Sequence, residues 1–176
     1  MVDKLLGEGG FGCVFQPEIP CVRDTVYLSK KKQQRASMVS KIFTSSVTLQ
    51  KENTYAKLVY SWDKEGKYFV VPTKLCKTTR FQIEKNKAVK ECKSLQNVSS
   101  KYIPQIVMPN AGVDLFTFME AYVNRRFRKV PLQIWIKLLE NVFLAVKILH
   151  QQGYVHLDIK AENIIYDGRI GRVSDF

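Results

Sequence analysis

The chain changes its hydrophobic period halfway along, and that change narrows its fold more than any other feature. Between residues 132 and 151, Ile134, Leu138, Leu139, Val142, Phe143, Val146 and Leu149 recur at steps of three and four. That is the spacing of one face of an α-helix. Pro131 suits the start of this helix and Gly153 its stop. Residues 114–127 read as helical by the same spacing. Before Gly112 the apolar residues come in short runs broken by glycine, proline and charge, as in Cys13-Val14-Phe15, Met38–Phe43 and Gln105–Met108. Strands first and helices after predict an α+β fold, with a boundary near Gly112 that divides it into 1–112 and 113–176.

The same pattern gives finer expectations. Residues 2–15 read as strand, glycine turn, strand, and residues 16–36 as a surface loop. Residues 48–60 suit a short helix carrying Glu52. Lys67–Pro72 reads as a strand after the Lys64-Glu65-Gly66 turn, 82–96 as a helix, and Asp167-Gly168 as a hairpin turn. A chain of 176 residues with 45% hydrophobic content can bury an ordinary core. It has no apolar run of membrane-spanning length, and its first residues do not read as a secretory signal.

Cys13, Cys21, Cys76 and Cys92 form no C-x-x-C pair, so a zinc site is not expected. They read as small buried residues, reduced, in a cytosol-like compartment. The balance of 28 Lys+Arg against 16 Asp+Glu gives a net charge of +12. Such a surface attracts phosphates, acidic proteins or nucleic acid, although Lys30-Lys31-Lys32 and Arg125–Lys129 also fit plain solvated faces.

Three motifs carry chemistry. Gly7-Glu8-Gly9-Gly10-Phe11-Gly12-Cys13-Val14 fits G-x-G-x-x-G-x-V, a turn whose backbone N–H groups can approach phosphate oxygens. A strand follows it, where a dinucleotide fingerprint would need a helix. A glycine-rich turn without a ligand fits the same residues. Lys41 is embedded among Met38, Val39, Ile42 and Phe43. An inward ammonium there needs anionic partners, which a triphosphate and a carboxylate would supply. Glu52 is the candidate carboxylate, with Glu84 and Glu91 as competitors, and an outward-facing Lys41 remains the plain alternative. The most specific run is His156-Leu157-Asp158-Ile159-Lys160-Ala161-Glu162-Asn163, with Asp175-Phe176 after it. Asp158 can accept a hydroxyl proton, Lys160 can steady a phosphoryl group, and Asn163 and Asp175 offer hard oxygen ligands to Mg²⁺.

In order and spacing these motifs resemble the eukaryotic-type protein kinase family, from Gly7 to Phe176. The resemblance implies a protein-kinase-like fold: an antiparallel-sheet N-lobe, then the first helices and catalytic loop of a C-lobe. It implies that Gly7, Gly9, Gly10, Phe11, Gly12 and Val14 cover ATP, and that Lys41 contacts its phosphates and pairs with Glu52. Val107 falls at the gatekeeper position, Met108, Pro109 and Asn110 form the adenine hinge, and Asp114 reaches the ribose. Asp158 is the implied base, Lys160 its phosphate-steadying partner, and Asn163 and Asp175 the Mg²⁺ ligands. Asp-x-Lys-x-x-Asn resembles the serine/threonine members, so the implied substrate is a protein hydroxyl, with no membrane and no specific nucleic acid. Gly-Gly-Phe-Gly-Cys-Val-Phe-Gln-Pro, Cys21, Val-Ser-Lys and Ala-Gly-Val-Asp-Leu are also similar to kinases of large cytoplasmic DNA viruses, which implies a host-cytoplasmic location.

The chain departs from the family pattern in three places. Leu157 stands where arginine usually precedes the catalytic aspartate, residues 74–102 are longer than the usual link, and the sequence stops at Phe176 before a completing glycine. The last point raises the expectation of a fragment and, from it, the alternative of a catalytically silent nucleotide-binding scaffold. A small-molecule kinase of related fold is a third reading, disfavoured by Lys160 two residues after Asp158.

Overall fold

The computed structural model describes residues 3–10, 12–28, 38–124 and 130–175. These divide into two compact units, Met1–Leu58 with Pro72–Asn110, and Val59–Val71 with Ala111–Phe176. Phe11, the lysine run at 30–32, the basic cluster at 125–129 and Phe176 lie outside the described residues.

The first unit is built on a six-stranded antiparallel sheet. Its strands are β1 (Lys4–Gly9), β2 (Gly12–Gln16), β3 (Arg23–Tyr27), β4 (Met38–Phe43), β5 (Lys74–Thr79) and β6 (Tyr102–Pro109), in the order β1-β2-β4-β6-β5-β3. Alternation along the strands sends residues to two faces. On one face Phe43, Leu75 and Ile106 pack with Leu49 of helix α1 (Ser46–Trp62) and with Met108. On the other, Cys13, Phe15, Ile42 and Ile103 pack against Ile83, Ala88, Cys92 and Leu95 of the segment between β5 and β6. That second face would otherwise meet water, so the stretch between β5 and β6 supplies part of this unit's core.

The second unit contains α3 (Leu115–Asn124), α4 (Leu132–Gln151) and a three-stranded sheet of β7 (Val113–Asp114), β8 (Ile164–Tyr166) and β9 (Gly171–Val173). Leu138 and Val142 of α4 pack on Leu115, Ile164 and Tyr166. Ala145 and Leu149 pack on Val59, Phe69 and Val173. Asp167 makes the expected hairpin turn, its Oδ1 accepting from the N–H groups of Arg169 and Ile170 at 2.8 and 2.9 Å. Among the described residues no helix is long and apolar enough to cross a membrane.

Three secondary-structure expectations need correction. The 16–36 loop contains β3, an edge strand held by pairing to β5 and not by apolar periodicity. Lys67–Pro72 is not a strand. The Asp63 carboxylate takes the N–H groups of Lys67, Tyr68 and Phe69 at 2.7–2.9 Å, leaving only a bridge of Phe69 to Val173. The expected helix at 82–96 is instead α2 (Arg80–Glu84) followed by two 3₁₀ turns, Lys87–Glu91 and Lys93–Leu95. Asn86 stops the helix by capping the next turn, its Oδ1 accepting from Ala88 N at 3.0 Å.

The cysteines are buried or half-buried, as expected, but they are not free thiols. Cys13 is bonded to Cys92 and Cys21 to Cys76, across sequence separations of 79 and 55. Sheet packing brings their Cα atoms to 6.2 and 5.7 Å, a proximity that spacing along the chain does not encode. The cytosol-like compartment read from reduced cysteines loses that support.

Candidate active site

In the first unit the glycine-rich motif forms the β1–β2 hairpin, with Gly7 opposite Val14 and Gly9 opposite Gly12. Gly12 cannot be another residue without a shift. Its φ is +148°, and a Cβ there would stand 1.8 Å from the Ile42 carbonyl oxygen. Gly7, Gly9 and Gly10 have open space beside them.

Register places the next residues. Val14 lies across from Lys41, and Lys41 across from Ile106, so all three share a face. It is the α1 face, and Glu52 on α1 receives the Lys41 ammonium at 2.9 Å. The Lys41 side chain is only 11% exposed, so this carboxylate meets the requirement that its apolar strand imposes. Glu84 is engaged elsewhere, with Arg80 at 3.0 Å.

The same alternation places Val107, the expected gatekeeper, off the Lys41 face. Val107 pairs with Ser40 and is fully buried beside Met38 and Cys76, on the face away from Lys41. Met108 pairs with Val39 and packs with Ile106 and Phe43, on the face of Lys41. The residue that borders the Lys41 face at this level is therefore Met108. Asn110, half-buried, follows the end of β6.

In the second unit Asp114 caps α3. Its two carboxylate oxygens accept from Thr117 N and Oγ1 at 2.8 and 2.7 Å, a local role that the ribose expectation did not include.

The loop after α4 gathers Asp158, Lys160 and Asn163. Lys160 reaches Asp158 at 2.8 Å, and Asn163 Nδ2 donates to the carbonyl oxygen and to Oδ2 of Asp158, both at 2.9 Å. The hydrogen bond from Lys160 is the main cause that holds the Asp158 carboxyl below the usual carboxylate range, with help from Asn163 and His156. Asp158 in turn raises Lys160 above the usual lysine range. Because Nδ2 must be the donor to a carbonyl, the Asn163 amide orientation is fixed and Oδ1 is left as a bare acceptor among the described residues. The Asn163 backbone carbonyl accepts from Ser174 N at 2.9 Å, which ties the residue before Asp175 to Asn163. Asp175 is exposed and has φ +59°, a conformation that aspartate tolerates. A hard amide oxygen and a nearby carboxylate fit Mg²⁺.

Sequence reasoning gave His156 no part. Its Nδ1 accepts from Asp158 N at 3.1 Å and its Nε2–H donates to the Ser174 carbonyl at 3.0 Å. It thus pins both the Asp158 and the Asp175 segments through backbone atoms. Nothing in the local pattern distinguishes such a histidine from a surface one.

The family model described as "Protein kinase domain" matches residues 52–176. The chain is 27% identical over 169 residues to "B1 kinase" of Vaccinia virus, covering 95% of this chain and 47% of that one. It is 25% identical over 172 residues to "Serine/threonine-protein kinase ISR1" of Saccharomyces cerevisiae, covering 93% of this chain and 34% of that one. It is 36% identical over 78 residues to "Serine/threonine-protein kinase MRCK gamma" of Mus musculus, covering 43% of this chain and 5% of that one. The chain thus spans about half the length, or less, of these curated relatives. With its match over more than half its residues and its six-stranded antiparallel sheet, this chain belongs to the protein kinase domain family.

Proposed function

We propose that the protein transfers the γ-phosphoryl group of ATP to serine or threonine hydroxyls of protein substrates. The observation that carries this reading is the cluster at Asp158. An ionised carboxylate is held by a lysine and by an asparagine whose remaining oxygen is a bare acceptor. Phosphoryl transfer needs little covalent chemistry from a protein. It needs positioned charge and a group to take the hydroxyl proton.

In this reading the β1–β2 hairpin presents backbone N–H groups to the phosphates, and Lys41, fixed by Glu52, holds them from the β4 side. Met108 serves as gatekeeper and Asn110 belongs to the adenine hinge. Asp158 orients the attacking hydroxyl and accepts its proton as the bond to phosphorus forms. Lys160 neutralises charge on the group in transfer and keeps Asp158 ionised until then. Asn163 and Asp175 hold Mg²⁺, which when bound offsets phosphate charge. Lys160, two residues after Asp158, favours serine and threonine as acceptors. The surplus of positive charge favours acidic protein partners.

The test is incorporation of label from γ-labelled ATP into a generic basic or acidic protein substrate, followed by phosphoamino-acid analysis. Phosphoserine or phosphothreonine from the wild type, and a loss of about 10³-fold or more in Asp158→Asn, supports the reading. Phosphotyrosine, or equal activity in Asp158→Asn, refutes it.

A further inference from the structure

The glycine-rich hairpin is gripped on both of its strands by the segment between β5 and β6. Glu8 on β1 and Cys13 on β2 are cross-strand partners, the last pair before Gly9 and Gly12 close the turn. Both point to the sheet face covered by that segment, and each meets it. Glu8 Oε1 accepts from Ser94 N at 2.9 Å and from Ser94 Oγ at 3.2 Å. Cys13 is joined to Cys92 by a disulfide. Ser94 Oγ also stands 3.4 Å from each of the two sulfurs, so one residue adjoins all three anchors. Nearer the root of β1, Asp3 Oδ2 accepts from Lys87 N at 2.8 Å.

The segment is itself anchored to the sheet. Ile83, Ala88, Cys92 and Leu95 are buried in one cluster with Phe15, Ile42 and Ile103. The hairpin is thus held from outside by a packed support at one residue pair from its turn. Gly7, Gly9 and Gly10 have no neighbour within 4 Å of where a side chain would begin.

We propose that residues 87–94 are a positioning clamp for the phosphate-binding turn, and that the Cys13–Cys92 bond makes nucleotide affinity sensitive to thiols. This rests on the reading that the hairpin binds ATP phosphates. A turn held near its binding shape loses less freedom when it closes on a ligand. Reduction removes the covalent anchor and leaves the two hydrogen bonds to Ser94. The step balances: a dithiol reductant gives two electrons and two protons, closes to its own cyclic disulfide, and leaves Cys13 and Cys92 as thiols. The other disulfide, Cys21–Cys76, lies away from the turn and is the internal control.

The experiment uses the full chain. Peptide mapping without reductant first identifies the Cys13–Cys92 crosslink, and its absence overturns the proposal. The Kd for ATP with Mg²⁺ is then measured with and without dithiothreitol. The expected result is a Kd about tenfold weaker on reduction. Cys13→Ser/Cys92→Ser should bind weakly in both conditions, and Cys21→Ser/Cys76→Ser should keep the tenfold response. Loss of a merely structural crosslink would lower the melting temperature in either double variant without separating their affinities. Equal Kd values for oxidised and reduced wild type overturn the clamp and leave the nucleotide reading standing. No ATP binding in either state defeats the nucleotide reading itself, and the clamp with it.

Discussion

Lys160 and Asn163 hold the Asp158 carboxyl below the usual carboxylate range. Its depressed pKa means that the interaction is fully present above the ordinary carboxylate range and is lost as pH falls through the folded value. Lys160→Ala removes the largest cause, so the acid limb of the pH–activity profile should move to higher pH. A profile that does not move would show that Lys160 does not set this ionisation. Gly12→Ala should cost about 3 kcal/mol in urea unfolding, from positive φ and a clash with the Ile42 carbonyl. At this scale Lys41 and Glu52 were legible, because a lysine inside an apolar strand demands an anion. Val107 lies on the face away from Lys41 and Met108 on the face of Lys41, because in a strand one residue is a change of face. His156 acts through backbone atoms, which side-chain chemistry read from sequence does not reveal.

Among the elements, α4 was legible from end to end, because twenty residues of unbroken periodicity outweigh any local signal. The Lys67–Pro72 run failed for a local reason. Its apolar, β-prone composition is overridden by one buried aspartate that takes three of its backbone donors. Asp63→Ala leaves those N–H groups without their acceptor and should destabilise the chain by about 3 kcal/mol in chemical denaturation. A change near zero would mean that water replaces the carboxylate. The polar, basic 82–96 stretch read as a helix, yet its few apolar residues pack into the first unit's core. Short 3₁₀ turns carry no period long enough to read, and the disulfides that join distant elements have no local signature at all.

For the molecule as a whole, the unabsorbed feature is the outer stripe of α4. Leu132, Ile136, Leu139 and Phe143 recur at helical spacing and are each at least half exposed. The 176-residue chain should therefore self-associate at micromolar concentration in sedimentation velocity, and Ile136→Lys/Phe143→Lys should sediment as a monomer. A monomeric wild type would contradict this. The proposed function assigns ATP phosphates to the glycine-rich hairpin and Lys41, and Mg²⁺ to Asn163 and Asp175. Isothermal titration with ATP tests both assignments. Binding should strengthen with Mg²⁺, lose that Mg²⁺ dependence in Asn163→Ala/Asp175→Ala, and weaken by about tenfold or more in Lys41→Met whether or not Mg²⁺ is present. ATP binding that is indifferent to Mg²⁺ and unchanged in Lys41→Met would contradict them.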